Sequence, residues 1–160
     1  MTKINYVKGD ATSPTGDGYK CICHICNDIG AWGAGFVLAL SKKWKGPEAD
    51  YRYYASKKDT KLGSMHVCTV EENVCVVNMV AQHGIGWDRG VPPISYDALA
   101  VCLEKVAEFI LVGDTKSTLK GSVHMPRIGC GLAGGEWPAV EVIIIDKLCR
   151  LNIPVFVYDL

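Results

Sequence analysis

The apolar positions along the chain follow two spacings, and each spacing predicts one type of secondary structure. Alternating or continuous apolar runs predict strands at residues 4–7, 20–26, 64–70, 74–80, 122–127 and 153–158. Apolar residues that recur every three or four positions predict helices at residues 36–45, at 48–58, from 95 onwards and at 140–151. The order of these elements, with a hairpin at 64–80, predicts a single three-layer α/β/α domain over residues 1–160 with a mixed central sheet.

Three further segments complete this pattern. Asn152 is placed to cap the end of the last helix. The polar residues from Gly113 to Gly121 are predicted to form a linker. The segment from Ala81 to Pro93 is rich in glycine and proline, and loops of that length in compact domains tend to be lids or binding loops.

The composition narrows the class of protein. The chain has 160 residues and a formal net charge of zero. It is therefore large enough for one buried core, and it lacks the charge excess of a broad nucleic-acid or anionic-membrane surface. It contains no apolar run of transmembrane length and no signal-like N-terminus. We expect a soluble, cytoplasmic protein that has no membrane partner and is a monomer.

Eight cysteines raise the question of a metal site. Cys21, Cys23 and Cys26 surround one histidine along the chain. In a strand, the first two of these thiols point to one face, whereas His24 and Cys26 point to the other. A tetrahedral site needs four converging ligands, so we predict no bound metal and interpret most of the cysteines as buried free thiols. Cys130 differs, because its glycine-rich loop would be able to lower its pKa, but the sequence identifies no histidine partner for a catalytic thiol.

The segment His124–Trp137 is predicted to form the end of a strand, a glycine-rich loop and the first turn of a helix. Its four glycines between positions 129 and 135 suit a backbone that adopts unusual dihedral angles or approaches a ligand closely. Successive N–H groups before a helix N-terminus form an anion site, which favours a bound phosphate. The alternative is a plain glycine-rich turn.

A second segment, Asn27–Val37, also joins a predicted strand to a predicted helix through a glycine-rich loop. Two such loops can face each other across a crevice at the carboxyl ends of a parallel sheet. A ligand with two phosphates, or with a phosphate and a sugar, would suit the pair. Neither loop has the pattern of a nucleoside-triphosphatase loop or of an ordinary dinucleotide fold.

Three polar residues near these loops are candidates for chemistry. Asp10 would either cap a turn or accept a hydrogen bond from a ligand amine. Asp28 would either cap its loop or take part in the site at the end of its strand. His83 would act as an acid, a base or a ligand for an oxygen atom, or would be an ordinary surface residue.

The motifs taken together resemble those of the macro domain, an ADP-ribose-binding fold. The resemblance covers essentially the whole chain and is specific because of the order of its parts. It is carried by Tyr6–Asp10, by Asn27 with Gly33–Gly35, by Met125–Leu132 and by Val157–Leu160. The chain is most similar to the subgroup that includes the terminal ADP-ribose protein glycohydrolase, the yeast-type ADP-ribose 1″-phosphate phosphatase, and bacterial and phage proteins.

This resemblance implies a role for particular residues, and it implies no cofactor. Asp10 would accept a hydrogen bond from the adenine amine, with the N–H of Ala11 nearby. Asn27 would bind the distal ribose hydroxyls, and Tyr158 and Leu160 would border the adenine pocket. The backbone of the two loops would hold the pyrophosphate and the distal ribose, through Gly33, Ala34, Gly35, Phe36, Val37, Pro126, Ile128, Gly129, Cys130, Gly131, Leu132, Ala133 and Gly134.

The chain also departs from the glycohydrolase pattern. That enzyme's lysine and aspartate positions correspond here to the segment Val80–His83 and to Ala133, so a lysine-adduct mechanism is disfavoured. The phosphatase has a histidine at the place of His24, although a histidine within an apolar strand is also typical of a structural residue. The resemblance implies a hydrolase acting at the distal ribose, with His24, Asp28 and His83 as candidate catalytic residues.

Two other functions remain open at this point. The chain would alternatively be a non-catalytic reader of ADP-ribose, free or attached to a protein or nucleic acid. It would otherwise be a phosphatase or sensor for a different nucleotide.

Overall fold

The computed structural model describes residues 1–112 and 121–160. Residues 113–120 of the predicted linker lie outside the described part of the chain. The helices and strands in the described part are β1 (Ile4–Lys8), β2 (Lys20–Asn27), α1 (Phe36–Lys43), α2 (Gly46–Ser56), β3 (Met65–Glu71), β4 (Val74–Gln82), α3 (Tyr96–Val112), β5 (Ser122–Met125), α4 (Trp137–Lys147) and β6 (Val155–Asp159). No helix among these is long and apolar enough to cross a membrane.

The strands form one mixed sheet in the order β1-β6-β5-β2-β4-β3. Its neighbouring strands are parallel except for β3, which pairs with β4 as an antiparallel hairpin. The mixed sheet and the hairpin predicted from the apolar pattern are therefore confirmed. Because β1, β2, β4, β5 and β6 run in one direction, the loops that follow them emerge at one edge of the sheet.

Helices cover both faces of the sheet, so the predicted three layers are confirmed. One core packs α3 and α4 against the sheet, with Leu99, Leu103 and Ile144 fully buried. A smaller core on the other face contains Leu40 of α1 and Tyr51 of α2. Strand β2 lies between the two cores, which is why its sequence is apolar throughout.

The cysteines of β2 divide between these cores as the strand period requires. Cys21 and Cys23 lie in the larger core, whereas Cys26 lies in the smaller one. His24 contacts aromatic residues on the same side as Cys26, with its ring centroid 5.5 Å from that of Trp32. The predicted separation of the thiols onto two faces is confirmed.

Prolines account for two differences between the predicted and observed boundaries. Strand β5 ends at Met125, immediately before Pro126, and β6 begins at Val155, immediately after Pro154. Proline lacks the N–H that a sheet hydrogen bond needs, so it is disfavoured inside such strands. The last helix ends at Lys147, a short 3-10 helix follows, and Asn152 caps it in the left-handed conformation with a φ of 60°.

Candidate active site

A cleft with a volume of about 420 Å³ opens at the edge of the sheet where the parallel strands end. We call it the main cleft. The predicted ligand-binding residues that line it are Asn27, Gly33, Ala34, Gly35, Phe36, Val37, Pro126, Ile128, Gly129, Gly131, Leu132 and Ala133. Those that lie outside its walls are Asp10, Ala11, Cys130, Gly134, Tyr158 and Leu160. The two glycine-rich loops thus face one cleft, as their positions after β2 and β5 lead us to expect.

The first loop presents a row of N–H groups to the main cleft. Gly35 caps α1 with a φ of 77°, a conformation that favours glycine. Within the described residues, the N–H groups from Trp32 to Val37 have no protein acceptor. A Cβ atom at Gly33 would meet no atom within 4 Å, so this glycine borders open space. A row of N–H groups before a helix N-terminus is suited to binding an anion.

Asn27 fixes the course of this loop. Its Oδ1 accepts the N–H groups of Ile29 and Ala31, each at 3.1 Å, and its Nδ2 donates to the carbonyl of Ala31 at 2.7 Å. The amide nitrogen of asparagine carries two hydrogens. One hydrogen therefore remains for a ligand, although Asn27 is 8% exposed.

Side chains of α1 and α2 fix the position of the same loop. The ring N–H of Trp32 donates to Ser41 Oγ at 2.8 Å, and that hydroxyl donates to Glu48 at 3.1 Å. Arg52 forms an ion pair with Glu48 at 2.9 Å and reaches the carbonyl of Gly30 at 3.4 Å. These contacts connect the wall of the cleft to two helices and limit its movement.

The second loop contains both free N–H groups and packing glycines. In the described part of the chain, the N–H groups of Gly131, Leu132 and Ala133 have no protein acceptor. A Cβ atom at Gly131 would meet nothing within 4 Å, whereas one at Gly129 would lie 2.5 Å from Ile94. Gly129 is therefore required for packing.

Gly134 is a packing glycine as well. Its φ is 73°, and an added Cβ atom would lie 2.7 Å from the ring of Trp87. Trp87 belongs to the loop after β4, the segment predicted to be a lid or binding loop. Gly134 lets this loop lie against the second glycine-rich loop.

The expectation that the glycine loop lowers the pKa of Cys130 is wrong. Burial raises the pKa of this thiol above its ordinary value, and the Arg127 guanidinium offsets only part of that effect. The Cys130 Sγ atom lies 3.4 Å from the carbonyl oxygen of Ile128. A protonated thiol with this environment is a poor nucleophile at neutral pH.

His24 lines the main cleft but is itself 2% exposed. Its Nε2 lies 2.5 Å from Asn78 Oδ1, while Asn78 Nδ2 donates to the carbonyl of Pro47. Because Asn78 presents its oxygen, Nε2 carries the proton and Nδ1 is the acceptor. Nδ1 has no hydrogen-bond partner among the described residues. Burial lowers the pKa of His24 to about 4, so the ring is neutral at pH 7.

Asp28 and His83 contact each other beyond the ends of β2 and β4, and neither is among the residues that line the main cleft. Asp28 Oδ2 lies 2.7 Å from His83 Nδ1, and Oδ1 accepts the N–H of Gly84 at 2.8 Å. Burial acts to raise the pKa of Asp28, but the Gly84 N–H and His83 outweigh it and the pKa is lowered. The hydrogen bond from Asp28 raises the pKa of His83. The structure thus pairs two of the candidate catalytic residues, whereas His24 stands apart.

Asp10 and Tyr158 lie near each other at the ends of β1 and β6. Asp10 Oδ1 accepts both the N–H and the hydroxyl of Thr12 at 2.8 Å, so this aspartate caps a turn. The Tyr158 hydroxyl accepts the N–H of Thr15 at 3.2 Å and contacts buried His124 at 2.7 Å. These bonds attach the loop after β1 to the end of β6.

Several residues of the site were not identified from the sequence. The main cleft is also lined by Trp32, Gln82, Ile85 and Arg127, among others. Arg127 is held by a bidentate ion pair with Asp159, with distances of 2.7 and 3.0 Å. The carboxylate of Asp159 therefore balances the positive charge of Arg127. Arg127 belongs to a motif that the sequence singles out, but its ion-pair partner is visible only once β5 and β6 are known to be neighbours.

Comparison with known proteins places this chain in a family. A macrodomain protein from Streptomyces coelicolor is 45% identical, with a TM-score of 0.83 and 99% of each chain covered. A Bacteroides thetaiotaomicron protein of unknown function is 54% identical, with a TM-score of 0.93 and 99% of each chain covered. No family model matches the chain.

Two curated relatives extend this comparison. The ADP-ribose 1″-phosphate phosphatase of Meyerozyma guilliermondii is 31% identical, over 96% of this chain and 98% of the phosphatase. The mouse chromodomain-helicase-DNA-binding protein 1-like is also 31% identical, but the chain spans only 18% of that protein. The chain belongs to the macrodomain family.

Proposed function

We propose that this protein binds ADP-ribose in the main cleft and hydrolyses a bond at its distal ribose. The group removed would be a 1″-phosphate or an ester-linked protein or nucleic-acid group. The observation that carries the proposal is the pair of N–H rows, at Trp32–Val37 and Gly131–Ala133, which line one cleft and have no acceptor within residues 1–112 and 121–160. Two anion sites facing each other suit a pyrophosphate. The similarity to an ADP-ribose 1″-phosphate phosphatase supports this ligand class.

The ends of the ligand follow from the polar groups that flank the loops. The adenine would lie toward Asp10, whose Oδ2 makes no hydrogen bond within the described residues, and toward Tyr158. The distal ribose would lie toward Asn27, whose remaining amide hydrogen can donate to a hydroxyl. This orientation brings the distal ribose close to the end of β4, where the Asp28–His83 pair lies.

The catalytic roles follow from the protonation states. His24 is neutral, and its buried Nδ1, which has no partner among the described residues, would accept a hydrogen bond from a water molecule held in the wall of the main cleft. With a pKa of about 4 it is a weak base, so orienting the attacking water is its main contribution. His83 bonds to Asp28 through Nδ1, which leaves Nε2 to donate a proton to a leaving group. Backbone N–H groups would stabilise charge on the phosphates in the transition state.

One observation favours a second function, that of a reader without catalysis. Ala133 occupies the position of the glycohydrolase aspartate and has no titratable side chain. At the other position, the Gln82 side chain donates to the carbonyl of Gly84 at 2.9 Å. No lysine of the described residues lines the main cleft. A lysine-adduct mechanism is therefore unsupported, and binding without turnover is the alternative.

A paired assay on the purified protein separates these functions. ADP-ribose is titrated by calorimetry, and the protein is then incubated with ADP-ribose 1″-phosphate and with carboxylate-linked ADP-ribosylated protein. Binding together with release of phosphate or ADP-ribose would establish the hydrolase, and the productive substrate would define the bond. Binding without release would establish the reader. If another nucleotide bound and ADP-ribose failed to compete with it, both proposals would be overturned.

A further inference from the structure

A second cleft lies between the start of the first glycine-rich loop and the segment that follows α2. It has a volume of about 310 Å³ and is lined by Asp28, Ile29, Ala55, Lys58, Thr60 and Lys61. We call it the lysine cleft. Asn27 lines the main cleft and Asp28 lines the lysine cleft, so adjacent residues of one segment form walls of both.

We infer that the lysine cleft is a subsite for a phosphate group carried by the substrate beyond the distal ribose. This inference rests on the proposed function, because it assigns the part of the substrate that extends past ADP-ribose. The chemistry is that of a phosphate monoester or diester. Its source would be a 1″-phosphate or the phosphate of a nucleic acid strand.

The lysine side chains are available for such a ligand. Within the described residues, neither Lys58 nor Lys61 has a carboxylate within 4.0 Å. The two neighbouring acids are occupied: Asp59 lies 3.7 Å from His66, and Asp28 is bonded to His83 and to a backbone N–H. Two lysines therefore line the cleft without an ion-pair partner among the described residues, and the neighbouring carboxylates already have partners.

The loop that carries the lysines is fastened directly to the candidate catalytic segment. Thr60 is 6% exposed, and its hydroxyl donates to the backbone carbonyl of Asp28 at 3.3 Å. Lys58 and Lys61 flank this anchor along the chain. The backbone between the two exposed lysines is thus attached to the segment that contains Asp28.

The backbone at Lys58 gives independent support. Helix α2 ends in a motif in which the N–H of Lys58 bonds to Ala55 and the N–H of Asp59 bonds to Tyr54. Lys58 has a φ of 56° at the position of this motif where glycine is usual. A lysine there costs stability relative to glycine. Strained backbone conformations are concentrated at functional sites, where the surrounding structure maintains them.

The test uses Lys58→Gly and the double variant Lys58→Gln/Lys61→Gln, with Lys42→Gln/Lys45→Gln as the matched control. The control lysines are exposed and line neither cleft. Calorimetry would compare ADP-ribose with ADP-ribose 1″-phosphate. We expect the lysine-cleft variants to weaken binding of the phosphorylated ligand about tenfold, as for a lost charge-assisted hydrogen bond, and to change ADP-ribose binding less than about twofold. Lys58→Gly should also raise the melting temperature.

Two further arms identify the source of the phosphate and separate the inference from the proposed function. Amide NMR shifts of the wild type with inorganic phosphate, and with a 5′-phosphorylated ten-nucleotide single strand, should centre on residues 58–61. Larger amide shifts with the strand than with inorganic phosphate would identify nucleic acid as the source of the phosphate. Smaller shifts with the strand would identify the 1″-phosphate. If ADP-ribose bound nowhere but phosphate shifted residues 58–61, only the proposed function would fail. If the variants bound both ADP-ribose ligands as the control does and phosphate left residues 58–61 unshifted, the inference would be overturned.

Discussion

The Tyr51 hydroxyl lies 2.6 Å from the backbone carbonyl of Asn27 and 2.7 Å from its side-chain Oδ1. The same hydroxyl accepts the N–H of Gly30 at 3.0 Å. One buried group of α2 thus contacts both the residue that ends β2 and the loop that follows it. Tyr51 positions the loop without touching the cleft itself.

Replacing Tyr51 with phenylalanine should therefore affect stability and binding together. Loss of the hydroxyl leaves buried polar groups of Asn27 and Gly30 unpaired, and we expect a decrease of about 1–3 kcal/mol in the free energy of unfolding. ADP-ribose should bind more weakly because the loop is less ordered. Urea denaturation and calorimetry measure the two effects. Tyr53→Phe is the control, since Tyr53 is 57% exposed; equal effects of both substitutions would remove the positioning role from Tyr51.

Valine at Gly33 or at Gly131 should block the ligand without unfolding the protein. A Cβ atom at either position meets no atom within 4 Å, so the side chain would enter the cleft rather than the core. We expect ADP-ribose binding to be lost and the melting temperature to change little, as measured by calorimetry and thermal denaturation. Normal binding by both folded variants would refute the two-loop model.

Valine at Gly134 should show the opposite pattern. An added Cβ atom would lie 2.7 Å from Trp87 and 2.8 Å from Pro92, at a φ of 73° that side chains disfavour. We expect a clear decrease in melting temperature, because the loop after β4 must move. A Gly134→Val protein as stable as the wild type would show that this contact is not needed for packing.

The Asp28–His83 ion pair predicts the titration of one histidine. Its hydrogen bond to Asp28 raises the pKa of His83, so the pair stabilises the fold below that raised value and is lost as the pH rises through it. It is also lost as the pH falls through the lowered pKa of Asp28. NMR titration of the ring should give a pKa above 6.5 in the wild type and a lower value in Asp28→Asn. An unchanged value would show that the pair does not form in solution.

Two buried histidines predict instability in acid. Burial lowers the pKa of His24 and of His124 from 6.5 to about 4. Between pH 6.5 and 4 the unfolded chain binds protons that the folded protein cannot, so stability falls as the pH decreases. The loss approaches about 3 kcal/mol for each histidine by pH 4. Urea denaturation across this range measures it.

A neutral substitution isolates one of these contributions. In His124→Gln, the difference in the free energy of unfolding between pH 6.5 and pH 4 should be smaller than in the wild type, whatever the stability at pH 6.5. A variant with the full pH difference would assign the effect to other groups.

The sequence predicts most of the fold because the fold depends on local patterns. The apolar spacing locates the strands and helices, and the hairpin follows from two strands separated by the short turn Glu71–Asn73. The glycine-rich loops likewise follow directly from composition. Even so, composition does not separate Gly131, which borders open space, from Gly134, which packs against Trp87.

The contacts that organise the site depend on strand order, which the local pattern does not contain. Asp28 meets His83 because β2 and β4 are neighbours and Asn27 is in register with Gln82. Asp28 and His83 are 55 positions apart along the chain. The hydroxyl of Tyr51 similarly reaches back 24 positions, and nothing in the sequence around it indicates a polar target.

The pairing of β1 with β6 has a consequence for how the protein is made. Asn5 and Val155 are joined by a hydrogen bond across 150 positions, so the first strand has no partner until the last one has left the ribosome. Contacts between such distant segments form slowly, because a long loop must close first. The turn at Asp10 and the end of β6 at Tyr158 are then the last parts to come together. The glycine-rich loop after β2 would therefore be synthesised long before β6 completes the proposed base-binding end.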